Sequence, residues 1–196
     1  MPPKTRFKRE DVLSAAFELV QSKGVGELTA RSVAEKLNSS TAPVYSNFDS
    51  MATLEHEIMV KARDLLLAYT TKEYTAIAFL NMGVGFVVFG RDQPMLFSSL
   101  FLQGNRFREV VGNLYNSLEE RLPDLPILEG LGDEEQKAIL KKMSTYSIGL
   151  ATLACSGLLE KDSNEDIICE MNAMGMDVIG AAFGSLEACP GECPLK

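Results

Sequence analysis

The chain has few of the side chains on which enzymes and metal sites most often depend. Its 196 residues include one histidine and no tryptophan, and that histidine, His56, falls on the predicted exposed side of a helix. The sequence contains no Gly-x-Ser-x-Gly element, no glycine-rich phosphate loop and no paired histidine and carboxylate spacing. We therefore expect no catalytic residues, no metal and no cofactor, and we expect that the protein is not an enzyme.

Apolar runs of membrane-spanning length are also missing. The most apolar stretch, residues 76–90, contains Asn81 and three glycines and is too short to cross a bilayer. The basic segment 1–9 is followed by neither an apolar run nor a small-residue cleavage site, so it is not typical of a secretory signal. These absences favour a cytoplasmic protein without a membrane association.

The four cysteines are interpreted as reduced. Cys155 and Cys169 fall within apolar helical patterns, where a free cysteine behaves as a small hydrophobic residue. Cys189 and Cys193 lie near the C-terminus without further candidate ligands beside them. We expect residues 189–196 to form a flexible tail.

Charge is distributed unevenly along the chain. The net charge of −8 would by itself argue against a nucleic-acid partner, but residues 1–48 carry a net charge of +2 and the remainder carries −10. A small basic N-terminal unit before an acidic body is typical of a protein whose first part alone approaches phosphate groups.

Apolar residues recur at helical spacing nearly throughout, so we predict an all-α fold of about nine helices. Residues 1–50 are expected to form a three-helix domain and residues 51–188 a larger helical domain. In the first, Thr29 is a good cap for a short second helix, and Asn38, which tolerates positive φ, begins a three-residue turn. The predicted helices here are residues 9–22, a short segment after Thr29, residues 41–47 and, leading into the body, residues 51–69. This layout predicts a helix-turn-helix.

A helix that enters the major groove presents short polar and methyl-bearing side chains to the base edges. The candidates here are Ser40, Thr41, Ala42, Pro43 and Ser46. Lys4, Arg6 and Lys8 are expected to form a basic arm that contacts phosphate or the minor groove. The alternative is that this arm is only a solubilising end.

The segment from Val12 to Leu54 resembles the N-terminal signature of the TetR family of bacterial transcription regulators. The matching residues are Leu13, Ala15, Ala16, Leu19, Gly24, Leu28, Thr29, Arg31, Val33, Ala34, Ser40, Val44, Tyr45, Phe48 and Leu54. The resemblance implies that Tyr45 and Asn47 contact DNA phosphates and that Arg31 reaches a phosphate or a guanine. It also implies a homodimer on a near-palindromic operator. For Tyr45, membership of the core is the alternative, and Phe48 is expected to belong to the core.

The larger domain is predicted to hold an apolar effector pocket, because methionine and phenylalanine cluster there around glycines. These residues could instead be ordinary core. The predicted helices include residues 72–91, a short helix from Pro94 and residues 106–122, and Gly85 is expected to face the pocket. The candidate pocket residues are Met82, Phe86, Phe89, Phe97, Phe101, Arg106, Phe107, Tyr115, Met143 and Tyr146.

The last two long helices, predicted at residues 133–160 and 164–186, carry small residues that permit close approach of another helix. We expect them to form the homodimer interface, with an intramolecular hairpin as the alternative. The sequence thus predicts a repressor that a small, largely apolar effector releases from its operator. The alternatives are a helical ligand-binding or adaptor protein without operator binding and, with least support, an enzyme.

Overall fold

The structure is a computed structural model that describes residues 7–183. Within that range the chain forms nine α-helices and no strand, which confirms the all-α prediction. Short 3-10 turns occur at Val25–Glu27, Leu122–Asp124 and Pro126–Leu128. The helices are α1 Arg9–Lys23, α2 Ala30–Lys36, α3 Ala42–Asn47, α4 Met51–Thr70, α5 Ala78–Asp92, α6 Pro94–Phe101, α7 Arg108–Glu119, α8 Asp133–Cys155 and α9 Asn164–Ala182.

The described residues divide into two compact units. The first contains residues 7–64 together with 95–110, and the second contains residues 65–94 together with 111–183. Segment 95–110 is tied to the first unit by the amide of Val25, which donates to Ser99 Oγ at 3.1 Å. The division of the chain at residue 50 into DNA-binding and effector domains stays a prediction.

The first unit forms around the apolar face of α1. Val12, Ala16 and Val20 are completely buried, as expected for residues spaced three to four apart on one helix face. Gly24, at a φ of +84°, ends the helix, in the conformation that favours glycine at this position. The N-terminus of α2 is capped as predicted, because Thr29 Oγ1 accepts a hydrogen bond from the amide of Ser32 at 3.0 Å.

In the second unit, α5 is the central helix, and it packs against α8 and α9. Nearly all of its residues between Phe79 and Gly90 are buried, as expected for a helix that is apolar on most sides. Two glycines allow other backbones to come very close. A Cβ placed on Gly85 would lie 2.4 Å from the carbonyl oxygen of Tyr69, and one on Gly90 would lie 2.7 Å from that of Ala151.

Several helix ends differ from the predicted ones. The helix predicted to begin at residue 72 begins at Ala78, because the Asn81 side chain binds the backbone of Thr75 and holds it outside the helix. Asn81 Oδ1 accepts from the Thr75 amide at 2.8 Å, and Asn81 Nδ2 donates to the Thr75 carbonyl at 2.9 Å. The next long helix begins at Arg108 rather than residue 106.

The other differences lie near the C-terminus. Helix α8 ends at Cys155 rather than residue 160, because Gly157 adopts a left-handed conformation with a φ of +68°. Helix α9 runs to Ala182, and the predicted end at residue 186 and the predicted tail 189–196 lie outside the described residues.

Cys155 is a free thiol, as predicted. Cys169 is disulfide-bonded, so the prediction of a reduced thiol at that position is wrong. Between residues 7 and 183, no helix combines the length and the apolar character that a bilayer crossing would require.

Candidate nucleic-acid interface

The turn between α2 and α3 has the conformation that the sequence predicts. Asn38 has a φ of +49° and is the one described residue other than glycine with positive φ, a conformation that asparagine tolerates better than most residues do. The amide of Ser39 then donates to the carbonyl of Ala34 at 2.9 Å and closes the end of α2. The chain is thereby redirected into α3.

Helix α3 is short and has two distinct sides. Val44 and Phe48 are 1% and 3% exposed, so they attach the helix to the first unit. The predicted base-contacting residues are on the outside: Ser40, Thr41, Ala42 and Ser46 are exposed, and Pro43 is half-buried. The helix begins at Ala42, one residue later than predicted, and Pro43 lies in its first turn, where its missing N–H costs no helical hydrogen bond.

Tyr45 is 60% exposed, whereas Phe48 three residues later is buried. The core alternative for Tyr45 therefore does not apply, and the core prediction for Phe48 is confirmed. An aromatic ring held outside the core by a rigid helix presents a hydroxyl that can bind a partner in the surrounding solution.

Arg31 lies on the exposed side of α2, and among residues 7–183 its ion-pair partner is Glu35, one helical turn along. Its Nε is 3.0 Å from Glu35 Oε1, and the two side chains are 87% and 68% exposed. Exposed pairs of this spacing contribute only about 0.3–0.5 kcal/mol. The guanidinium can therefore change partner at little cost.

The predicted basic arm is described only in part. Lys4 and Arg6 lie outside the described residues. Lys8 is exposed just before α1, and its amide donates to Asp11 Oδ2 at 2.8 Å. Asn47 also lies close to this segment, since its Nδ2 donates to the carbonyl of Phe7 at 3.3 Å and to that of Pro43 at 2.8 Å.

Three of the predicted pocket residues line one small cavity in the second unit. The cavity has a volume of about 20 Å³, which leaves room for about one water molecule. Its polar groups are the hydroxyls of Ser144 and Ser147, both buried. The lining residues are Phe79, Met82, Gly83, Phe86, Leu118, Leu140, Met143, Ser144 and Ser147.

Gly83, not Gly85, faces this cavity. The methyl group of Met171 would lie 2.4 Å from a Cβ on Gly83, with Ser147 Oγ at 3.2 Å. Gly85 faces the end of α4 instead, so the expectation that it borders the pocket is wrong. The two residues are separated by about 200° around the helix axis, which places them on opposite faces.

The remaining predicted pocket residues do not line that cavity. In the second unit, Phe89 is buried and meets Tyr69 edge to face, with ring centroids 5.4 Å apart. In the first unit, the rings of Phe97 and Phe101 are tilted by 34° with centroids 5.0 Å apart, and Phe107 is buried. The exposed Arg106 pairs with Glu55 at 2.7 Å.

Two predicted tyrosines lie along α7 and α8. Burial raises the pKa of the Tyr115 phenol, an effect that its hydrogen bond with Ser144 partly opposes. Tyr146 donates to the Glu170 carboxylate on α9, and burial together with that carboxylate raises the pKa of Tyr146 to about 12. Both phenols therefore stay protonated at physiological pH.

Across residues 7–183, histidine, cysteine, aspartate and glutamate side chains form no group of three or more that could hold a metal ion. No protein-family model matches the chain, and no curated protein matches it. A solved structure does: the crystal structure of a TetR-family transcriptional regulator from Streptomyces coelicolor shares 15% of its residues with this chain, at a TM-score of 0.56. The match covers 97% of this chain and 94% of that one. Along nearly its whole length, the chain is thus similar in fold to a TetR-family transcriptional regulator.

Proposed function

We propose that this chain is a cytoplasmic, dimeric transcription regulator that binds a near-palindromic operator through α3. The observation that carries the proposal is the two-sided character of α3. Val44 and Phe48 fix the helix to the unit, while Tyr45 and the short polar residues before it face outward. The fold shared with a TetR-family regulator supports it.

The proposal assigns a role to each of the following side chains. Ser40, Thr41, Ala42, Pro43 and Ser46 contact base edges, mainly thymine methyl groups, because none is long enough for bidentate recognition of guanine. Tyr45 donates its hydroxyl to a phosphate, and Arg31 exchanges Glu35 for a phosphate or guanine. Lys4, Arg6 and Lys8 add salt-sensitive contacts.

The purified protein is expected to bind a near-palindromic duplex from its own promoter region. Log affinity should fall with log salt at a slope of about −5 or steeper, since each neutralised phosphate contributes about −0.9. Fluorescence anisotropy across a salt series measures both quantities. A random duplex of the same length is the control, and equal affinity for the two would favour the adaptor alternative over the regulator.

Changing Tyr45 to phenylalanine is expected to weaken operator binding by about 1 kcal/mol, or about fivefold. The substitution removes only the hydroxyl from a ring that is already exposed, so the melting temperature should stay nearly unchanged. Operator titration and thermal unfolding of the same sample test the two expectations.

Tyr74 provides the matched control, because its hydroxyl lies in the second unit and has no hydrogen-bond partner there. Tyr74→Phe should leave operator affinity as it is. A Tyr45→Phe protein that melts much earlier yet binds DNA normally would contradict the phosphate contact.

The proposed dimer uses α8 and α9. Leu153 on α8 and Met176 on α9 are 41% and 37% exposed, and Gly149 has open space beside it. Of the small residues along these helices, Ala151 and Gly175 are buried within the unit, so the interface would use the others. Two such helix pairs related by a two-fold axis would form a four-helix bundle.

The proposed effector is small and largely apolar, and it enters the cavity beside Gly83. That cavity is nearly filled, so a ligand must displace side chains, and Met82, Met143 and Met171 are flexible enough to move. A conformation that accommodates the ligand would hold the two recognition helices at another spacing and release DNA. Such coupling typically amounts to about 1–3 kcal/mol, and operator DNA must weaken the effector by the same factor.

A further inference from the structure

Three contacts join the end of α3 and the helix α4 to residues Phe7 and Arg9 at the start of α1. Asn47 Nδ2 donates to the carbonyl of Phe7 at 3.3 Å. The guanidinium of Arg9 lies over the ring of Phe48, 4.4 Å from its centroid, and also pairs with the Glu57 carboxylate on α4. We call these five residues the arm clasp. It joins residues about 40 to 50 positions apart in the chain.

Both donor hydrogens of the Asn47 amide are engaged within the protein. One is directed to the Phe7 carbonyl and the other to the Pro43 carbonyl. Because both partners are acceptors, the amide orientation is determined: the nitrogen must face them. The remaining group, Oδ1, is itself an acceptor and cannot bind a phosphate oxygen. A phosphate contact by Asn47 would therefore require the loss of one of these two bonds.

We propose that Asn47 is a positioning residue: with Phe48 and Glu57, it fixes the point from which the basic arm leaves the first unit. This inference rests on the proposed operator binding. It replaces the phosphate contact of Asn47 that the family resemblance implies. Asn47 thus influences DNA affinity through Lys4 and Arg6 and makes no DNA contact of its own.

The position of Phe7 matters for DNA binding because Lys4 and Arg6 lie only a few residues before it in the chain. Lys4 is three positions before Phe7 in the chain, and three extended residues span at most about 10 Å. Where Phe7 is held therefore determines which phosphates or groove edges Lys4 and Arg6 can reach. Since Asn47 and Phe48 end the helix proposed to enter the major groove, Phe7 is held in a fixed position relative to that helix. Holding Phe7 in place also lowers the conformational entropy that the arm loses when it binds DNA.

A double-mutant cycle tests this role. Asn47→Ala is measured in the otherwise unchanged chain and in a chain that carries Lys4→Ala and Arg6→Ala. We expect Asn47→Ala to weaken operator binding about fivefold in the first background and less than about twofold in the second, because coupled residues are not additive. The salt slope should become shallower by about one to two in Asn47→Ala, as one or two arm contacts with phosphate are lost.

Ser46→Ala is the matched control, because Ser46 is the neighbouring exposed residue on α3 and its hydroxyl binds only the Pro43 carbonyl among the described contacts. Its effect on affinity should be equal in both backgrounds. Glu57→Ala is a second variant that leaves α3 intact. Removal of an acidic group should by itself strengthen DNA binding, so weaker binding only when Lys4 and Arg6 are present supports the clasp.

An equal loss for Asn47→Ala in both backgrounds would mean a direct DNA contact and would overturn the proposal. So would a chain with Lys4→Ala and Arg6→Ala that binds as tightly as the unchanged protein, since the arm then contributes nothing. If Asn47→Ala does not fold, the Glu57→Ala cycle decides in the same way. Failure of the unchanged protein to bind any operator duplex overturns the proposed function instead, so the two failures are distinguishable.

Discussion

Replacing Gly85 with alanine is expected to lower the free energy of unfolding by about 3 kcal/mol. The new Cβ would lie 2.4 Å from the carbonyl oxygen of Tyr69 and 2.7 Å from the Cα of Thr70. Both are backbone atoms, so neither can rotate away, and α5 must shift from the end of α4. The higher helix propensity of alanine offsets at most about 1 kcal/mol of this cost. Urea unfolding followed by circular dichroism measures the difference.

Gly112 in α7 is the control for this substitution. It is exposed, and a Cβ there would meet nothing within 4 Å. Gly112→Ala should therefore stabilise the protein by about 0.5–1 kcal/mol, because alanine has the higher helix propensity and meets no steric clash at this position. If the two alanine variants were equally stable, the close approach of α5 to α4 would be ruled out.

Replacing Leu153 with glutamate is expected to give a folded monomer that binds the operator about 100-fold more weakly, because the two half-sites are then no longer bound as one unit. Leu153 is exposed on α8, so the charge costs little in an isolated chain. In the proposed four-helix bundle, the same charge would be buried without a partner. Sedimentation velocity and operator titration measure the two effects.

Leu102 offers a matched control, since it is exposed to a similar extent, 47%, and lies in the first unit. Leu102→Glu should leave the oligomeric state unchanged. A Leu153→Glu protein that sediments as a dimer at the same concentration as the unchanged chain would exclude α8 from the interface.

The first unit could be predicted well because its helix ends depend on local chemistry. Thr29 caps α2 and Asn38 adopts positive φ, and both preferences belong to those residue types in any protein. The start of α5 could not be predicted in this way. Helical spacing continued into residues 72–77, but the Asn81 side chain binds Thr75, and the helix begins only at Ala78.

For the candidate interface, the exposed position of Tyr45 was expected from the family resemblance, and the buried position of Phe48 was expected from its place as a core aromatic residue. The hydrogen bond from Asn47 to the carbonyl of Phe7 could not be predicted, because the two residues are 40 positions apart and no spacing rule connects them. The direction of Gly85 was predicted wrongly for another reason. Gly85 was expected to face the pocket because it precedes Phe86 in the sequence. Whether a residue faces a cavity depends on its angle around the helix axis, and that angle places Gly83 at the cavity.

The glycines of α5 and the residues that border the neighbouring cavity should differ in how freely they can mutate. Every other amino acid carries a Cβ, and at Gly85 and Gly90 that atom would collide with the backbone of a neighbouring helix, so mutation at either position is expected to be purged. The adjacent cavity is bordered by Met82 and Met143, whose exchange for other apolar side chains of similar volume is usually tolerated. If the cavity binds the proposed effector, descendants of this chain can change the ligand they bind while the path of the central helix stays the same.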